Sequence, residues 1–181
     1  MRKVILGMNV TLDGYVSGPN GELDWAFRTM SPDMGEWVTD LLRGADTILL
    51  GRTTYLQQAA TWPSQTGEMA DLLNKHAKVV FSKQLTSLEW NNSRLASADV
   101  AEEIARLKQQ PGKNISVSGG ATIAQSLSRL GLIEEYNLVM HPVALGSGKP
   151  LFKDLAQPLN LKLVSTKTFA SGAIGLTYQF T

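Results

Sequence analysis

Three stretches of the chain bring together glycine, hydroxyl and cationic residues in a way that suits an anionic ligand. They are Gly51-Arg52-Thr53-Thr54, Ser82-Lys83, and Gly119-Gly120-Ala121-Thr122. Glycine lets a phosphate reach main-chain amides without a side chain in between. The first turn of a helix offers unpaired N–H groups and a partial positive charge. Arginine and lysine add charged donors, and Thr53, Thr54, Ser82 and Thr122 add neutral ones.

The surrounding elements decide whether these stretches can act together. Asn114 to Ser118 reads as a buried strand. After the two glycines, Ile123, Leu127 and Leu130 recur at helical spacing. Asp46 to Leu50 is a second aliphatic strand that runs directly into Gly51 and a short helix. Lys78 to Phe81 is a third, ending at Ser82. Lys3 to Val10 is the first strand of the chain, and Tyr15-Val16 is a short extended piece in a long glycine-rich loop that ends in Trp25. Ser31-Pro32-Asp33 starts a helix that Gly44 ends, with the Ser31 hydroxyl expected as cap. Further helices are expected over Thr66–Lys75 and from Asp99 to about Gln109, with a short edge piece from Trp90 to Leu95 between them. Glu135 to Met140 is a strand. Leu159–Phe169 and Ile174–Phe180 close the chain as an antiparallel hairpin.

Alternating strand and helix followed by a hairpin implies an α/β fold with a mostly parallel, mixed central sheet. In such sheets ligands bind beyond the carboxyl ends of the strands. Gly51, Ser82 and Gly119 all fall at such ends. A dinucleotide needs amides for its pyrophosphate and cations for any extra phosphate, and two cations near one ribose favour NADP over NAD.

Composition narrows the alternatives. The chain has 181 residues, 43% hydrophobic and 18% charged, which fits one globular domain over 1–181. Its formal net charge of +1 gives no field that would gather nucleic acid. There are no cysteines and only two histidines, His76 and His141, so thiolate metal sites are excluded and a histidine-based metal site or triad is not expected. The cysteine content favours the cytoplasm. Val4-Ile5-Leu6 is too short for a signal peptide, and no run is long enough to cross a bilayer. Gly119-Gly120 lacks the Gly-x-Gly-x-x-Gly spacing of a Rossmann turn. Gly146-Ser147-Gly148-Lys149 is not a P-loop, because Pro150 stands where a metal-binding hydroxyl is required.

Four motifs in order, Leu12-Asp13-Gly14-Tyr15, Gly51-Arg52-Thr53-Thr54-Tyr55, Ser118-Gly119-Gly120-Ala121 and Pro142 through Phe152, resemble the dihydrofolate reductase-like superfamily. More narrowly, the chain resembles stand-alone relatives of the reductase domain in bifunctional riboflavin-biosynthesis deaminase-reductases. The resemblance implies a three-layer α/β/α domain, a homodimer, and an NADPH-dependent reductase acting on a small heterocycle. An aminopyrimidine with a phosphoribosyl group is one such substrate. It places Gly51, Arg52 and Thr54 against the cofactor phosphates, and Ser82 and Lys83 at the adenosine ribose. Gly119, Gly120, Ala121, Thr122 and Ile123 fall at the pyrophosphate and nicotinamide side, with Val10 and Asn9 near the nicotinamide. Folate-reducing relatives hold the pterin with an acid on the helix after the first loop, for which Asp33 is the nearest candidate here. Asp33 is also explained as a first-turn acid. Trp25 is a candidate to cover a substrate ring and Lys149 to meet a substrate phosphate. The zinc-binding deaminase half has no counterpart. The competing readings are a non-catalytic nucleotide-binding paralogue and a dihydrofolate reductase.

Overall fold

The computed structural model describes residues 1–180. Its main sheet has eight strands in the order β5-β4-β3-β6-β1-β7-β10-β9. In chain order these are β1 (Val4–Thr11), β3 (Ala45–Gly51), β4 (Ala77–Phe81), β5 (Ser93–Leu95), β6 (Asn114–Ser118), β7 (Glu135–His141), β9 (Leu161–Thr168) and β10 (Ile174–Phe180). The six strands from β5 to β7 are parallel, and the β9–β10 hairpin joins β7 antiparallel. This is the mixed sheet that the alternation and the terminal hairpin imply.

Helices cover both faces. The alternation along β3 shows how: Ile48 and Leu50 point one way, Leu49 the other, and all three are fully buried. Leu49 packs with β1, β6 and the helices α5 (Val100–Gln109) and α6 (Ala121–Arg129), through Ile104, Leu107, Ile123 and Leu127. Ile48 and Leu50 pack with α2 (Pro32–Arg43), α3 (Arg52–Thr61) and α4 (Glu68–Lys75), through Leu42, Tyr55 and Leu73. Each such side chain contributes about 1.5–3 kcal/mol by leaving water. A third cluster of Met34, Val139, Phe169 and Ala173, with Trp37 against it, fixes α2 over the hairpin. Together these layers make an α/β/α sandwich.

The loop after β1 differs from the expectation. Tyr15–Ser17 is a strand, β2, and it pairs antiparallel with a two-residue strand β8 (Lys149–Pro150), 130-odd positions later in the chain. Gly148 makes this approach feasible: a Cβ there would lie 2.2 Å from the Ser17 carbonyl oxygen. Asp13 ties the same two loops together, accepting the amides of Leu145 at 3.2 Å and Gly146 at 2.7 Å. Trp25 sits on a one-turn helix, α1 (Asp24–Phe27), rather than at the end of an open loop. The Ser31 hydroxyl does not cap α2. It donates to Asp33 at 2.6 Å, and the Asp33 carboxylate accepts the Met34 amide at 3.1 Å.

Candidate functional site

Strands β3 and β6 are neighbours, and each passes through glycine into a helix, β3 at Gly51 and β6 at Gly119-Gly120. Their helices α3 and α6 leave on opposite faces of the sheet, so a crevice opens between their first turns, the usual ligand position in a sheet of this kind. Thr54 closes its floor. A Cβ on Gly120 would lie 2.9 Å from Thr54 Oγ1, and one on Gly119 would lie 3.2 Å from Thr54 Cγ2. Both glycines have positive φ, +72° and +89°, which side-chain-bearing residues rarely adopt. A Cβ on Gly51 would meet nothing within 4 Å, so that backbone is open to a ligand.

The electrostatics of these two helix starts set them apart. Neither α3 nor α6 has a side-chain cap or an acid in its first turn. In contrast, α2 carries Asp33, α4 carries Glu68 and Asp71, and α5 is capped by Asp99 with Glu102 and Glu103 behind it. Among the described residues, it is at the crevice that long helices keep both their free amides and an uncancelled positive end. Arg52, the first residue of α3, is exposed and its side chain forms no ion pair or hydrogen bond among the described residues, and the same holds for the Lys83 side chain. Ser82 directly follows β4, one strand beyond Gly51. Its Oγ accepts the amides of Gln84 and Leu85 at 3.1 and 3.0 Å, which leaves the hydroxyl hydrogen to donate elsewhere. At a strand spacing of about 4.8 Å, Ser82 and Gly119 stand about 10 Å apart across the strands, a span suited to an extended ligand. Thr122 is exposed in the first turn of α6 and Ala121 is half-buried. Val10 and Ile123 turn their side chains into the core, so they offer the crevice only backbone.

Asn9 lies on the other face of β1 from Val10. Its Oδ1 is 2.9 Å from His141 Nε2, and His141 Nδ1 is 2.5 Å from Thr29 Oγ1. His141 is fully buried, and burial pushes its pKa below the ordinary histidine value, so the ring is neutral at pH 7. Trp25 packs edge-on against it, 5.3 Å between centroids, and donates its indole N–H to the Glu22 carbonyl at 3.1 Å. Only 5% of Trp25 is exposed, so it closes the core over His141 and does not present a face for stacking. Residue types gave no warning of the His141–Thr29 pair. The available signal was position: His141 ends β7, next to the end of β1.

Asp33 lies apart from this cluster in role. The Ser31 hydroxyl and then the Ala170 amide, 3.0 Å away, hold its pKa below the usual carboxylate value. An ionised carboxylate already accepting three hydrogen bonds suits an anchor between α2 and the hairpin turn, not a proton donor. Lys149 is exposed on β8. A hollow of about 320 Å³ opens at the opposite end of the sheet, beside Thr47, Lys78 and Arg94, but the Lys78 ammonium is already committed to the carbonyls of Leu73 and Asn74. It lacks the free amides of the crevice. Among the described residues no cluster of acids and histidines is arranged for a metal, and no helix is long and apolar enough to cross a membrane.

Sheet order, layers and crevice together define a dihydrofolate reductase-like α/β domain. The RibD C-terminal domain family matches residues 2–174, and the chain belongs to that family. It is similar to the uncharacterized protein YyaP of Bacillus subtilis (strain 168), 40% identical over 185 residues that cover 99% of this chain and 95% of YyaP. Solved structures that share the fold include the following two. One is the diaminohydroxyphosphoribosylaminopyrimidine deaminase/5-amino-6-(5-phosphoribosylamino)uracil reductase of Thermotoga maritima, with a TM-score of 0.71 and 15% identity over 99% of this chain and 57% of that longer one. The other is a dihydrofolate reductase of Enterococcus faecalis complexed with NADP(H) and RAB-propyl, with a TM-score of 0.67 and 14% identity over 99% of this chain and 96% of that one.

Proposed function

We propose that the protein is an NADPH-dependent reductase that acts on a C=N or C=O group of a small heterocycle, with a phosphoribosylated aminopyrimidine as the candidate substrate. One observation carries this reading: two adjacent helix starts, free of caps and acids, meet at a glycine floor beside an unpaired arginine. The site fits the cofactor's chemistry. The amides of α3 and α6 would take the pyrophosphate, Arg52 and Lys83 the ribose phosphate, and Ser82 the ribose. Backbone at Val10 and Ala121–Ile123 would border the nicotinamide, with Asn9 beside it. NADPH, when bound, supplies the hydride. The family and the reductase named in the Thermotoga structure support the reaction class, and the NADP(H) complex of the Enterococcus enzyme supports the cofactor.

The chain's own part is to bind, orient and exclude water. With Asp33 ionised and anchored, this reading assigns the accompanying proton to water or to another carboxylate. Lys149 is the cation available to a substrate phosphate. A homodimer working in the cytoplasm belongs to the same reading, and sedimentation of the purified chain tests the dimer. The anchored state of Asp33 also favours a second reading, a paralogue that binds the nucleotide without turnover. Calorimetric titration with NADPH, followed by loss of its nicotinamide absorbance with a panel of aminopyrimidines and dihydrofolate, separates the two. Heat with turnover of an aminopyrimidine is the expected result. Heat without turnover leaves the paralogue, turnover of dihydrofolate alone indicates a folate reductase, and no heat overturns the reading.

A further inference from the structure

Gly7 and Asn9 are successive residues on one face of β1. In register Gly7 stands between Ser118 of β6 and Asn137 of β7. A Cβ on Gly7 would meet no atom within 4 Å, so the sheet has a bare patch here. Its neighbour Asn137 cannot reach out. Its Nδ2 donates to Glu135 at 2.9 Å and its Oδ1 accepts from Thr177 at 2.7 Å. Asn9 is in the opposite condition. Its Oδ1 meets His141, and its Nδ2 has no partner among the described residues. The bare patch therefore has the free Asn9 amide as a polar donor at its rim, with the Ser118 hydroxyl beside Gly7.

The ring of His141 decides which end of Asn9 is free. A carboxamide oxygen only accepts, so Nε2 must carry the hydrogen. A neutral ring then has Nδ1 as acceptor, and the Thr29 hydroxyl donates to it. Neither nitrogen has a position left for a ligand, and the residue is fully buried under Trp25. His141 therefore has no direct access to a substrate, and Asn9 is the residue through which it reaches the crevice.

We infer that His141 is a positioning residue that locks the Asn9 carboxamide with its Nδ2 as a hydrogen-bond donor to a ring carbonyl or ring nitrogen of a flat heterocycle seated over Gly7. This rests on the reductase reading for the ring's identity, but the geometry of the pair stands without it. The lock sets specificity. A substrate with a donor at that place would face another donor, and the lost bond would leave a buried polar group unpaired.

The test uses the purified full chain. Long-range 15N–1H correlation of His141 should show a neutral ring with hydrogen on Nε2. Hydrogen on Nδ1 means the Asn9 amide is turned round, and overturns the inference. With NADP⁺ present, 5,6-diaminouracil at millimolar concentration should shift the Asn9 Nδ2 protons, and an unmoved signal overturns the donor role. Asn9→Asp keeps the acceptor for His141 and removes the donor. It should weaken this probe at least tenfold, and His141→Phe about tenfold. The double variant should be no worse than Asn9→Asp alone, because His141 acts through Asn9. Additive losses overturn the inference. Thr29→Val, which removes one hydroxyl, should reproduce part of the His141→Phe loss if that variant fails to fold. Wild-type protein that binds no NADPH would sink the reductase reading, while the His141 ring state would still report on the pair.

Discussion

At the amino edge of the sheet the buried charged groups Arg2 and Lys78 both have partners. Arg2 donates to Asp46, to Thr47 Oγ1 at 2.7 Å and to the Lys113 carbonyl at 2.7 Å. Asp46 in turn accepts the Lys113 amide at 2.7 Å. Lys108 and the Val4 amide share Glu134, at 2.7 and 2.8 Å. Lys78, buried completely with its pKa pushed down to about 8 by that burial, lies 4.2 Å over the Trp90 ring and donates to two carbonyls. At the carboxyl edge Arg52 and Lys83 stand free, two helix starts are uncapped, and Gly51 and Gly7 are bare. The same residue types occur at both edges. One edge uses them to tie the ends of strands together. The other leaves its donors to water, open to an anionic partner.

If that contrast is right, mutations at the two edges should separate stability from binding. The largest effect should come from Arg2→Ala, which strands Asp46 and the Lys113 carbonyl. We expect a loss of ~3 kcal/mol in urea unfolding, with NADPH affinity unchanged. Arg52→Ala should do the reverse. It should weaken NADPH by ~1.5–3 kcal/mol more than NADH, with no change in unfolding midpoint. Equal losses for both cofactors would remove the ribose-phosphate assignment. Gly120→Ala should affect both readouts, because φ is +89° and the new Cβ meets Thr54. Strain of ~1–3 kcal/mol and loss of most NADPH affinity are expected.

The smallest global effect should be at Asp13, which is exposed. The Thr11 hydroxyl and then the Gly146 amide hold its pKa below the ordinary carboxylate value. A lowered folded pKa means the unfolded chain binds more protons in acid. Its contribution is therefore complete above the ordinary carboxylate pKa and disappears as pH falls through the lowered one. Asp13→Asn should flatten that acid dependence and speed hydrogen exchange at Leu145 and Gly146, without altering the exchange of β3 or β6 amides.

Much of this protein was legible in the order of its residues. The aliphatic run of β3, helical spacing in α6, and Pro32 and Gly44 at the ends of α2 are local signals, because each depends on a few neighbours and on burial. Glycine at two strand ends likewise marked the crevice without any tertiary information. What remained hidden depends on residues far apart in the chain. The strand β8 is two residues long and exists only because β2 is there to receive it. Asp33 read as either a first-turn acid or a catalytic one until the Ala170 amide, 137 positions away, was seen bonded to it. His141 looked unremarkable until β1 and β7 became neighbours and Asn9 and Thr29 closed on its two nitrogens, 132 and 112 positions away. Sequence spacing fixes which face a side chain takes within its own element. Which hydrogen-bonding atoms stay free is settled only when the chain closes and every other group has chosen its partner.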